Sequence, residues 1–442
     1  MPATSCTPWP TSRNTVNSLS PVADSTKSIL LVAQLSPPST LVAARRVAGL
    51  TKYWSKSGYR VTVLTSAISG EGPIEGAAEV VRTRDLMASS LNWRRRHFAA
   101  LGGHVAQSYR RPSRLEAVVV PDLGLLGWIP FALPRAVRLA RARVFDCVIT
   151  SSPPQSTHLI GNVLSKRGLP WIAELRDGWT FDPPRRPWPL VTQRRLDVSL
   201  EHRVLQGADA LVGVTTPIAH DLRDRFGGSA QVITNGFDPE ELGEAEPEDS
   251  LLDPTRHSLV YTGRMAVAGR DPTPLFNALR ILRDESPELA GRLELVFAGP
   301  IADEERGVLT SADLKDSVRI LGALDRPRAL KLQRAADSLL VLGVGTSNRS
   351  VATGKLFEYL AAGRPILVLG EETEAARIVA SANAGLAVPA EEPKQIADAL
   401  RRLAEGRGPN GADRELVARY AYPRIADQYA ELIDEVCERR CR

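Results

Sequence analysis

The sequence predicts an α/β protein with two doubly wound domains, and three observations favour this fold class. Short apolar runs of strand length recur along the chain and alternate with segments of helical periodicity. The runs lack polar alternation, which is typical of strands buried on both faces of a parallel sheet. The chain has 442 residues, which is long for a single hydrophobic core and comfortable for two.

The composition predicts a globular protein of a reducing, cytoplasmic compartment. The net charge of +5 is mild for this length, and the four cysteines show no metal-ligand spacing. No stretch approaches the ~20 consecutive apolar residues of a membrane-spanning helix. Residues 1–27 are rich in Ser, Thr and Pro and have no apolar core. We therefore expect them to be disordered and not to be a secretory signal.

The first predicted domain spans residues 28–238. A strand over Ile29–Ala33, a helix over Leu41–Ser57 and a strand over Arg60–Leu64 open it. Later strands are predicted over residues 144–150, 170–175, 209–214 and 231–234, with a helix over residues 217–226. Residues 239–257 are predicted to be the linker, because the segment Glu240–Pro254 is acidic, contains proline and lacks apolar periodicity.

A basic segment, Leu86–Leu115, interrupts this pattern. It contains six arginines and no acidic residue, with Trp93 and Phe98 among the apolar residues between them. One interpretation is an amphipathic surface for a peripheral contact with an anionic membrane. The other is a solvated helix and loop of an arginine-rich protein. No nucleic-acid recognition motif accompanies the charge, so we predict no nucleic-acid partner.

The second predicted domain spans residues 258–419, and a terminal helix in residues 420–442 follows it. Buried strands are expected over residues 258–262, 293–298, 318–321, 339–344, 366–369 and 386–388. Gly343-x-Gly345 lacks the third glycine of a dinucleotide fingerprint, and Gly354-Lys355 lacks the rest of a P-loop. The sequence therefore does not support a dehydrogenase or a nucleoside triphosphatase.

Residues 338–370 combine a buried strand, a loop, a helix and a second strand. Thr353 is the predicted N-cap of the helix, and Gly363 is its predicted left-handed terminal residue. Ligands of open α/β sheets bind at the carboxyl ends of strands, and helix amino termini attract anions. Lys355 adds positive charge there, and Glu358 lies one turn further on, where its carboxylate can accept hydrogen bonds from a vicinal diol. The pattern fits a nucleotide site, and it also fits a surface ion pair between Lys355 and Glu358.

Residues 353–367, TGKLFEYLAAGRPIL, resemble the donor-site signature of retaining family-four glycosyltransferases of the GT-B fold. The similar subgroup has Pro-Gly-Lys-Leu-Phe-Glu-Tyr at this place. The resemblance implies two Rossmann-like domains facing each other across a cleft, with the terminal helix returning to the first. It also implies that Gly354, Lys355 and Leu356 face a nucleotide diphosphate sugar and that Glu358 binds its ribose.

The chain departs from this pattern at two positions. Thr353 replaces the proline of the subgroup, and Ser350 stands where the first of the two family glutamates is expected. The second departure concerns how the sugar is handled, because Glu358 keeps the position that binds the nucleotide.

Two further loops of the second domain resemble donor-site loops of the family. Arg264, after Gly263, is similar to an arginine whose guanidinium suits a diphosphate, although a surface arginine is the alternative. Arg270 lies next to the place of a family lysine and is a second candidate. The loop at Gly322 is implied to frame the nucleotide base through backbone atoms.

Two loops of the first domain resemble the acceptor side of the same subgroup. They are Ser151–His158, with Ser-Pro-Pro before the histidine, and Leu175–Trp179, with Leu-Arg-Asp-x-Trp. The resemblance implies that His158 hydrogen-bonds sugar hydroxyls, that Asp177 is an acid or base, and that Arg176 holds a phosphate or carboxylate. The alternative is that these three residues cap helices and lock loops.

The resemblance implies transfer of a sugar, with retention of anomeric configuration, from a nucleotide diphosphate sugar to a glycan, lipid-linked or small-molecule acceptor. No Asp-x-Asp at a strand end suggests a metal-bound phosphate, so we predict metal-independent catalysis without a cofactor other than the donor substrate. The predicted location is the cytoplasm, with the inner face of the plasma membrane left open by the basic segment. A nucleotide-sugar epimerase and an inactive nucleotide-sugar-binding relative are the alternatives.

Overall fold

The computed structural model describes residues 27–39, 41–87, 117–183, 187–228, 230–243, 251–263, 272–300, 313–343, 350, 352–409 and 411–441. Most of the basic segment lies outside these residues, as do residues 1–26. Among the described helices, none combines the length and the apolar character that crossing a bilayer requires.

The first lobe contains a sheet of seven parallel strands. The strands are β1 (Ser28–Ala33), β2 (Arg60–Ser66), β3 (Ala77–Thr83), β4 (Cys147–Ser152), β5 (Trp171–Leu175), β6 (Ala210–Gly213) and β7 (Ala230–Val232). Their order is β3-β2-β1-β4-β5-β6-β7. Leu31 of β1 is in register with Val63 of β2 and Ile149 of β4. The strand order reverses at β1, so a crevice opens at the carboxyl ends of β1 and β4.

Helices cover both faces of this sheet. They are α1 (Val42–Lys56), α2 (Gly124–Gly127), α3 (Ile129–Ala142), α4 (His158–Ser165), α5 (Val191–Leu205) and α6 (Thr216–Phe226). Successive residues of a strand face opposite sides, so Ile29 and Leu31 join one apolar cluster and Leu30 and Val32 join another. Burial on both faces explains why β1 has no polar alternation.

The second lobe repeats this arrangement with six parallel strands. They are β8 (His257–Thr262), β9 (Leu293–Ala298), β10 (Val318–Gly322), β11 (Ser338–Leu342), β12 (Ile366–Leu369) and β13 (Gly385–Val388), in the order β10-β9-β8-β11-β12-β13. The helices are α7 (Pro239–Gly243), α8 (Thr273–Glu285), α9 (Pro287–Gly291), α10 (Arg326–Ala335), α11 (Gly354–Ala362), α12 (Glu374–Ser381), α13 (Pro393–Ala404) and α14 (Arg414–Ala418). The predicted fold class, two parallel α/β domains, is confirmed.

The chain passes between the lobes twice, and the two crossings are hydrogen-bonded to each other. The amide of Phe237 donates to the carbonyl of Tyr420 at 3.1 Å, and the amide of Tyr422 donates back to the carbonyl of Phe237 at 2.9 Å. Gly236 belongs to the first crossing, and a side-chain carbon on it would lie 2.4 Å from the carbonyl oxygen of Tyr420 in the second. The close approach of the two crossings therefore requires glycine at position 236. This pair of strands is the covalent hinge of the molecule.

After the second crossing, helix α15 (Tyr422–Cys441) packs against the first sheet. Tyr429, Ile433 and Val436 are fully buried in the same cluster as Ile29 and Leu31 of β1. The carboxyl-terminal helix therefore forms part of the core of the first lobe. The exact limits assigned to the domains from the sequence stay predictions.

A buried ion pair fastens α1 and α15 to the end of the sheet. Arg46 of α1 is 1% exposed; its Nε donates to Glu174 of β5 at 2.9 Å, and its Nη1 donates to the carbonyl of Thr234 at 2.6 Å. Ser151 donates to the other oxygen of Glu174 at 2.6 Å, and Tyr429 of α15 also donates to this carboxylate. Burial alone would raise the pKa of Glu174, but the adjacent Arg46 guanidinium holds it below its usual value.

Three elements differ from the sequence-based expectations. Strand β3 and helix α5 were not predicted, and the predicted linker contains the short helix α7. β3 lies at the edge of the sheet and is only partly buried, which removes the apolar run that marked the other strands. Helix α5 turns acidic residues inward, which hides its periodicity.

We expect Arg46→Met to destabilise the first lobe by about 3–5 kcal/mol, because it leaves the Glu174 carboxylate buried without its counter-ion. The measurement is the urea concentration at the unfolding midpoint, followed by circular dichroism. Arg138→Met on α3 is the matched control, since Arg138 is exposed. Equal midpoints for the two variants would show that the buried pair does not stabilise this lobe.

Candidate functional site

Helix α11 is positioned by its own capping residues and by the neighbouring sheet. Gly363 ends it in the left-handed conformation, with φ of 72°, as the sequence predicts. The hydroxyl of Tyr359 is fully buried and accepts a hydrogen bond from the amide of Thr262 at 2.8 Å. This bond fixes the helix against the carboxyl end of β8, so the amino terminus of α11 lies at the ligand-binding edge of the second sheet.

Lys355 in the first turn of α11 lies close to the end of β8. Its Nζ is 3.8 Å from the centroid of the Tyr261 ring, which is a cation–π contact. Gly263 has φ of +106°, and a side-chain carbon on it would lie 3.1 Å from the same Nζ. The two predicted donor-binding residues are therefore adjacent, and glycine leaves room for the ammonium group.

Thr353 takes the extended N-cap conformation, with φ of −70° and ψ of 146°. Its side chain makes no capping hydrogen bond, and its buried Oγ1 has no partner among the described residues. Buried hydroxyl groups are rarely left unsatisfied, and such exceptions often mark a place where a ligand binds. The start of α11 thus combines the Lys355 ammonium group, the amide groups of the helix end and a hydroxyl that has no partner among the described residues.

Glu358 is 6% exposed and joins the two lobes. Its Oε1 accepts hydrogen bonds from Arg45 of α1 and, at 2.9 Å, from Arg326 of α10. Its Oε2 lies 3.5 Å from the amide nitrogen of Gln333. Burial alone would raise the pKa of Glu358, but the guanidinium groups of Arg326 and Arg45 hold it below its usual value. The carboxylate therefore stays ionised at neutral pH.

Two more polar contacts cross the cleft between the lobes. Asp182 follows β5 and accepts hydrogen bonds from the amide of Ser350 at 3.1 Å and from its hydroxyl at 2.6 Å. The carboxylate of Glu374, at the start of α12, accepts a hydrogen bond from the amide of Thr216 at 3.1 Å. That amide belongs to the first turn of α6, where a negative charge is stabilising. Ser350, at the position of the first family glutamate, thus binds a carboxylate of the opposite lobe.

A cavity of about 840 Å³ lies in the cleft beside these contacts. Its lining is mainly apolar and includes four carboxylates, and Arg377 supplies positive charge. The first lobe contributes Phe181, Asp182 and Pro217, and the second contributes Ser350, Glu371, Glu372, Thr373, Glu374, Ala376, Arg377, Ala380 and Ala387. The volume is within the range of small-molecule sites, and the carboxylates are suitable partners for hydroxyl groups.

His158 lies inside the first lobe. It is fully buried; its Nδ1 is 2.9 Å from Thr150 Oγ1, and its ring stacks on Trp179 with centroids 6.1 Å apart. Its Nε2 has no hydrogen-bond partner among the described residues. Burial lowers the pKa of His158 to about 3, which the negative charge of Glu174 opposes only in part. In this conformation the ring is neutral and contacts protein groups, and its contact with a substrate stays a prediction.

Arg176 and Asp177 follow β5 at the edge of the cleft and are half-buried. Arg176 Nε donates to the carbonyl of Ser152 at 2.8 Å, and its Nη2 donates to the carbonyl of Pro153 at 3.2 Å. Burial raises the pKa of Asp177, and the Arg176 charge opposes that rise. Arg176 thus joins the two loops that the sequence predicts to face the acceptor, and the role of Asp177 in proton transfer stays a prediction.

The remaining predicted residues divide into two groups. Gly322 ends β10 with φ of 72°, and Leu356 is fully buried in the core beneath α11. Arg264 and Arg270 lie outside the described residues. Within the described ranges, no group of three or more His, Cys, Asp or Glu side chains is placed to hold a metal ion.

Sequence reasoning missed the arginines that hold Glu358 and the residues that meet across the cleft. The missed residues are Arg45, Arg326, Asp182, Thr216 and Glu374. Each is an ordinary polar residue of a helix or loop, and no local pattern distinguishes it. Arg46 did carry a signal, because it falls on the apolar stripe of α1 with Leu50 and Trp54, at spacings of four and eight.

Two protein-family models match the chain, one in each lobe. Residues 43–236 match the glycosyl transferase 4-like domain, and residues 256–406 match the glycosyl transferases group 1 domain. Together they cover all strands of the two sheets except β1. The chain is therefore a glycosyltransferase of the GT-B fold, with a glycosyl transferase 4-like amino-terminal domain.

Solved structures of similar fold cover nearly the whole chain. A Burkholderia vietnamiensis α,α-trehalose-phosphate synthase (UDP-forming) has a TM-score of 0.60 at 14% identity, over 93% of this chain and 100% of that one. A trehalose-6-phosphate structure from E. coli, bound with UDP-2-fluoro glucose, has a TM-score of 0.60 at 15% identity, over 93% of this chain and 99% of that one. The amino-terminal domain of a Candida albicans trehalose-6-phosphate phosphatase has a TM-score of 0.64 at 14% identity, over 93% of this chain and 97% of that one.

These likenesses show the fold. A sequence comparison with curated proteins found no match.

We expect the stability of the protein to fall between pH 7 and pH 5 because of His158. Its pKa is about 3 in the folded state and about 6.5 in an unfolded chain. The unfolded state alone therefore takes up a proton in this window. Once uptake is complete, the free energy of unfolding falls by about 1.4 kcal/mol for each pH unit. Glu174 and Glu358 have lowered pKa values in the folded state. They reduce the stability further only when the pH falls below about 4.5, which is the pKa of glutamate in an unfolded chain.

The measurement is the urea midpoint at pH 7, 6 and 5 for the wild type and for His158→Gln, which should show a flatter dependence. His220→Gln on α6 is the control, because His220 is exposed. If His158→Gln keeps the slope of the wild type, His158 is not the buried neutral group that the structure describes.

Proposed function

We propose that the protein is a retaining, metal-independent glycosyltransferase of the subgroup with Gly-Lys-Leu-Phe-Glu-Tyr at the donor site. The observation that carries this proposal is the convergence of an anion-binding group and a diol-binding group on α11, at the cleft. Lys355 and Thr353, whose hydroxyl has no partner in the described part of the chain, lie at the helix end, and Glu358 lies one turn away. Retention rests on the resemblance of residues 353–367 to retaining enzymes.

The diphosphate of the donor binds at the amino terminus of α11 in this proposal. Helix amino termini stabilise phosphate through unpaired amide groups and a partial positive charge. The Lys355 ammonium group, held near Gly263, adds a full charge at the same place. These groups neutralise the charge that grows on the departing diphosphate, which is the task of a metal ion in other enzymes. This is why we propose catalysis without a metal.

The ribose of the donor binds at Glu358. Both arginines hold Oε1, whereas Oε2 has the Gln333 amide at 3.5 Å as its contact among the described residues. A carboxylate oxygen accepts two hydrogen bonds, and Gln333 supplies one long bond to Oε2, so Oε2 can accept a hydroxyl group of a ribose at its other position. The arginines would then keep the carboxylate ionised while it binds the sugar.

The acceptor binds across the cleft from α11, beside the loop Arg176–Asp182 of the first lobe. Asp177 is the candidate for receiving the proton of the acceptor hydroxyl, because burial raises its pKa. The carboxylates of the adjoining cavity are suitable partners for the other hydroxyl groups of a sugar. Closure of the lobes over both substrates excludes water and favours transfer over hydrolysis.

We expect the purified chain to consume one nucleotide sugar from a panel of UDP-, GDP- and ADP-sugars. UDP-sugars are tested first, because one structure of similar fold is a UDP-forming synthase and another is bound with UDP-2-fluoro glucose. Slow hydrolysis without an acceptor should release the free sugar in the anomeric form of the donor. Proton NMR spectra recorded before mutarotation identify this anomer. EDTA should leave the rate unchanged. Lys355→Met should lower it about a hundredfold, as expected for loss of a group that stabilises developing charge.

Lys394→Met is the matched control, because Lys394 is exposed on α13. Interconversion of sugars without release of nucleotide would favour an epimerase, and binding without turnover would favour an inactive relative. A rate that EDTA abolishes, or a released sugar of inverted configuration, would contradict the proposed mechanism.

A further inference from the structure

Helix α5 exposes apolar side chains on its outward face. Val191 is 64% exposed and Leu196 is 56% exposed, while Val198 and the preceding Leu190 are exposed to 46% and 60%. A surface helix normally turns such residues towards the core. Single exposed apolar residues are common, but Val191 and Val198 are seven positions apart and therefore lie on the same face of the helix. Apolar groups grouped on one exposed face are typical of interaction surfaces.

The acidic residues of the same helix point inward. Asp197 is 1% exposed and accepts hydrogen bonds from the indole nitrogens of Trp179 and Trp188, both at 2.9 Å. Glu201 is fully buried and accepts hydrogen bonds from Arg225 at 2.7 and 2.9 Å. These two are the acidic residues of α5, so every exposed charged side chain of this helix is basic.

The basic side chains form a groove among the apolar ones. The groove has a volume of about 450 Å³ and is lined by Arg194, Arg195, Val198, Ser199, His202 and Arg203. Residues 191, 195, 198 and 202 are spaced by three or four, so they form one stripe along the helix. The three arginines are exposed, and none forms an ion pair with another described residue. The groove is therefore an open site of positive charge, bordered by apolar side chains.

We propose that the outward face of α5 docks on a membrane of anionic phospholipid. Interleaved arginine and aliphatic side chains match a lipid surface, where the arginines bind headgroup phosphates and the aliphatic groups enter the acyl boundary. A second copy of the chain is a poorer occupant, because a two-fold interface would place the three arginines against their own copies. A nucleic acid would pair with the arginines but would leave the apolar groups exposed to water.

Helix α5 is hydrogen-bonded to a loop that reaches the cleft. Trp179, which Asp197 holds, belongs to the same loop as Arg176 and Asp177. At the start of α5, Gln193 donates to the carbonyl of Ala117 at 2.9 Å, two residues after the end of the basic segment in the sequence. Docking therefore places the loop that contains Trp179, Arg176 and Asp177 directly behind the helix that contacts the membrane. The inference stands on the surface of α5 alone and does not depend on the donor site.

We expect the full-length protein to float with vesicles of phosphatidylglycerol and phosphatidylcholine and not with vesicles of phosphatidylcholine alone. High salt should weaken the binding, because it is partly electrostatic. The variant with Arg194→Glu and Arg195→Glu should bind at least about tenfold more weakly, since each basic residue near an anionic surface contributes measurably to affinity. Val191→Ser with Val198→Ser should weaken the binding while keeping its dependence on salt.

The matched control carries Lys394→Glu and Arg402→Glu on α13, where both side chains are exposed in the other lobe. It should float like the wild type, and circular dichroism should show that all variants are folded. The proposal is overturned if the wild type does not float, or if the control loses binding as strongly as the α5 variant. It is also overturned if sedimentation shows a dimer that the α5 charge reversals dissociate, because the face then binds a second copy.

Discussion

A buried carboxylate between two arginines connects helix α11 with the opposite lobe. Glu358 lies on α11, Arg326 lies on α10 of the same lobe, and Arg45 comes from α1 of the first lobe. A buried carboxylate is strongly destabilising without counter-ions, so the contact with Arg45 favours the arrangement in which the two lobes meet. In the proposed donor complex, the same carboxylate would join the lobes through Oε1 and accept a ribose hydroxyl through Oε2.

The rest of the cleft is also joined by polar contacts and not by a continuous core. Asp182 meets Ser350, and Glu374 meets the first turn of α6, while the four apolar clusters each lie within one lobe or beside the hinge. Polar contacts between domains exchange readily with water and substrates, whereas buried apolar surface resists separation. The hinge at Phe237 and Tyr420 keeps its own backbone hydrogen bonds and does not depend on these contacts. The lobes can therefore separate for substrate exchange without loss of their cores.

The sequence predicted most strands, the helix α11 and its ends, because these depend on local patterns. Apolar runs mark strands buried on two faces, and Gly363 marks a left-handed helix end. The partners of the site were not predictable, because Arg45 and Glu358 are 313 positions apart and no local rule links them. Helix α5 was missed for a physical reason. It buries Asp197 and Glu201 against tryptophan and arginine donors and exposes valine and leucine, so its apolar residues do not mark its buried face.

The most direct test of the donor site is the calorimetric affinity of the preferred nucleotide sugar for three proteins: the wild type, Glu358→Gln and Arg45→Met. Glu358→Gln removes the charge that binds the ribose, and loss of charge-assisted hydrogen bonds of about 1.5–3 kcal/mol should weaken binding by about tenfold to a hundredfold. Arg45→Met breaks the same contact between the lobes but keeps the carboxylate, so it should bind the donor about as well as the wild type. Unchanged affinity in Glu358→Gln, or an equal loss in both variants, would contradict the account.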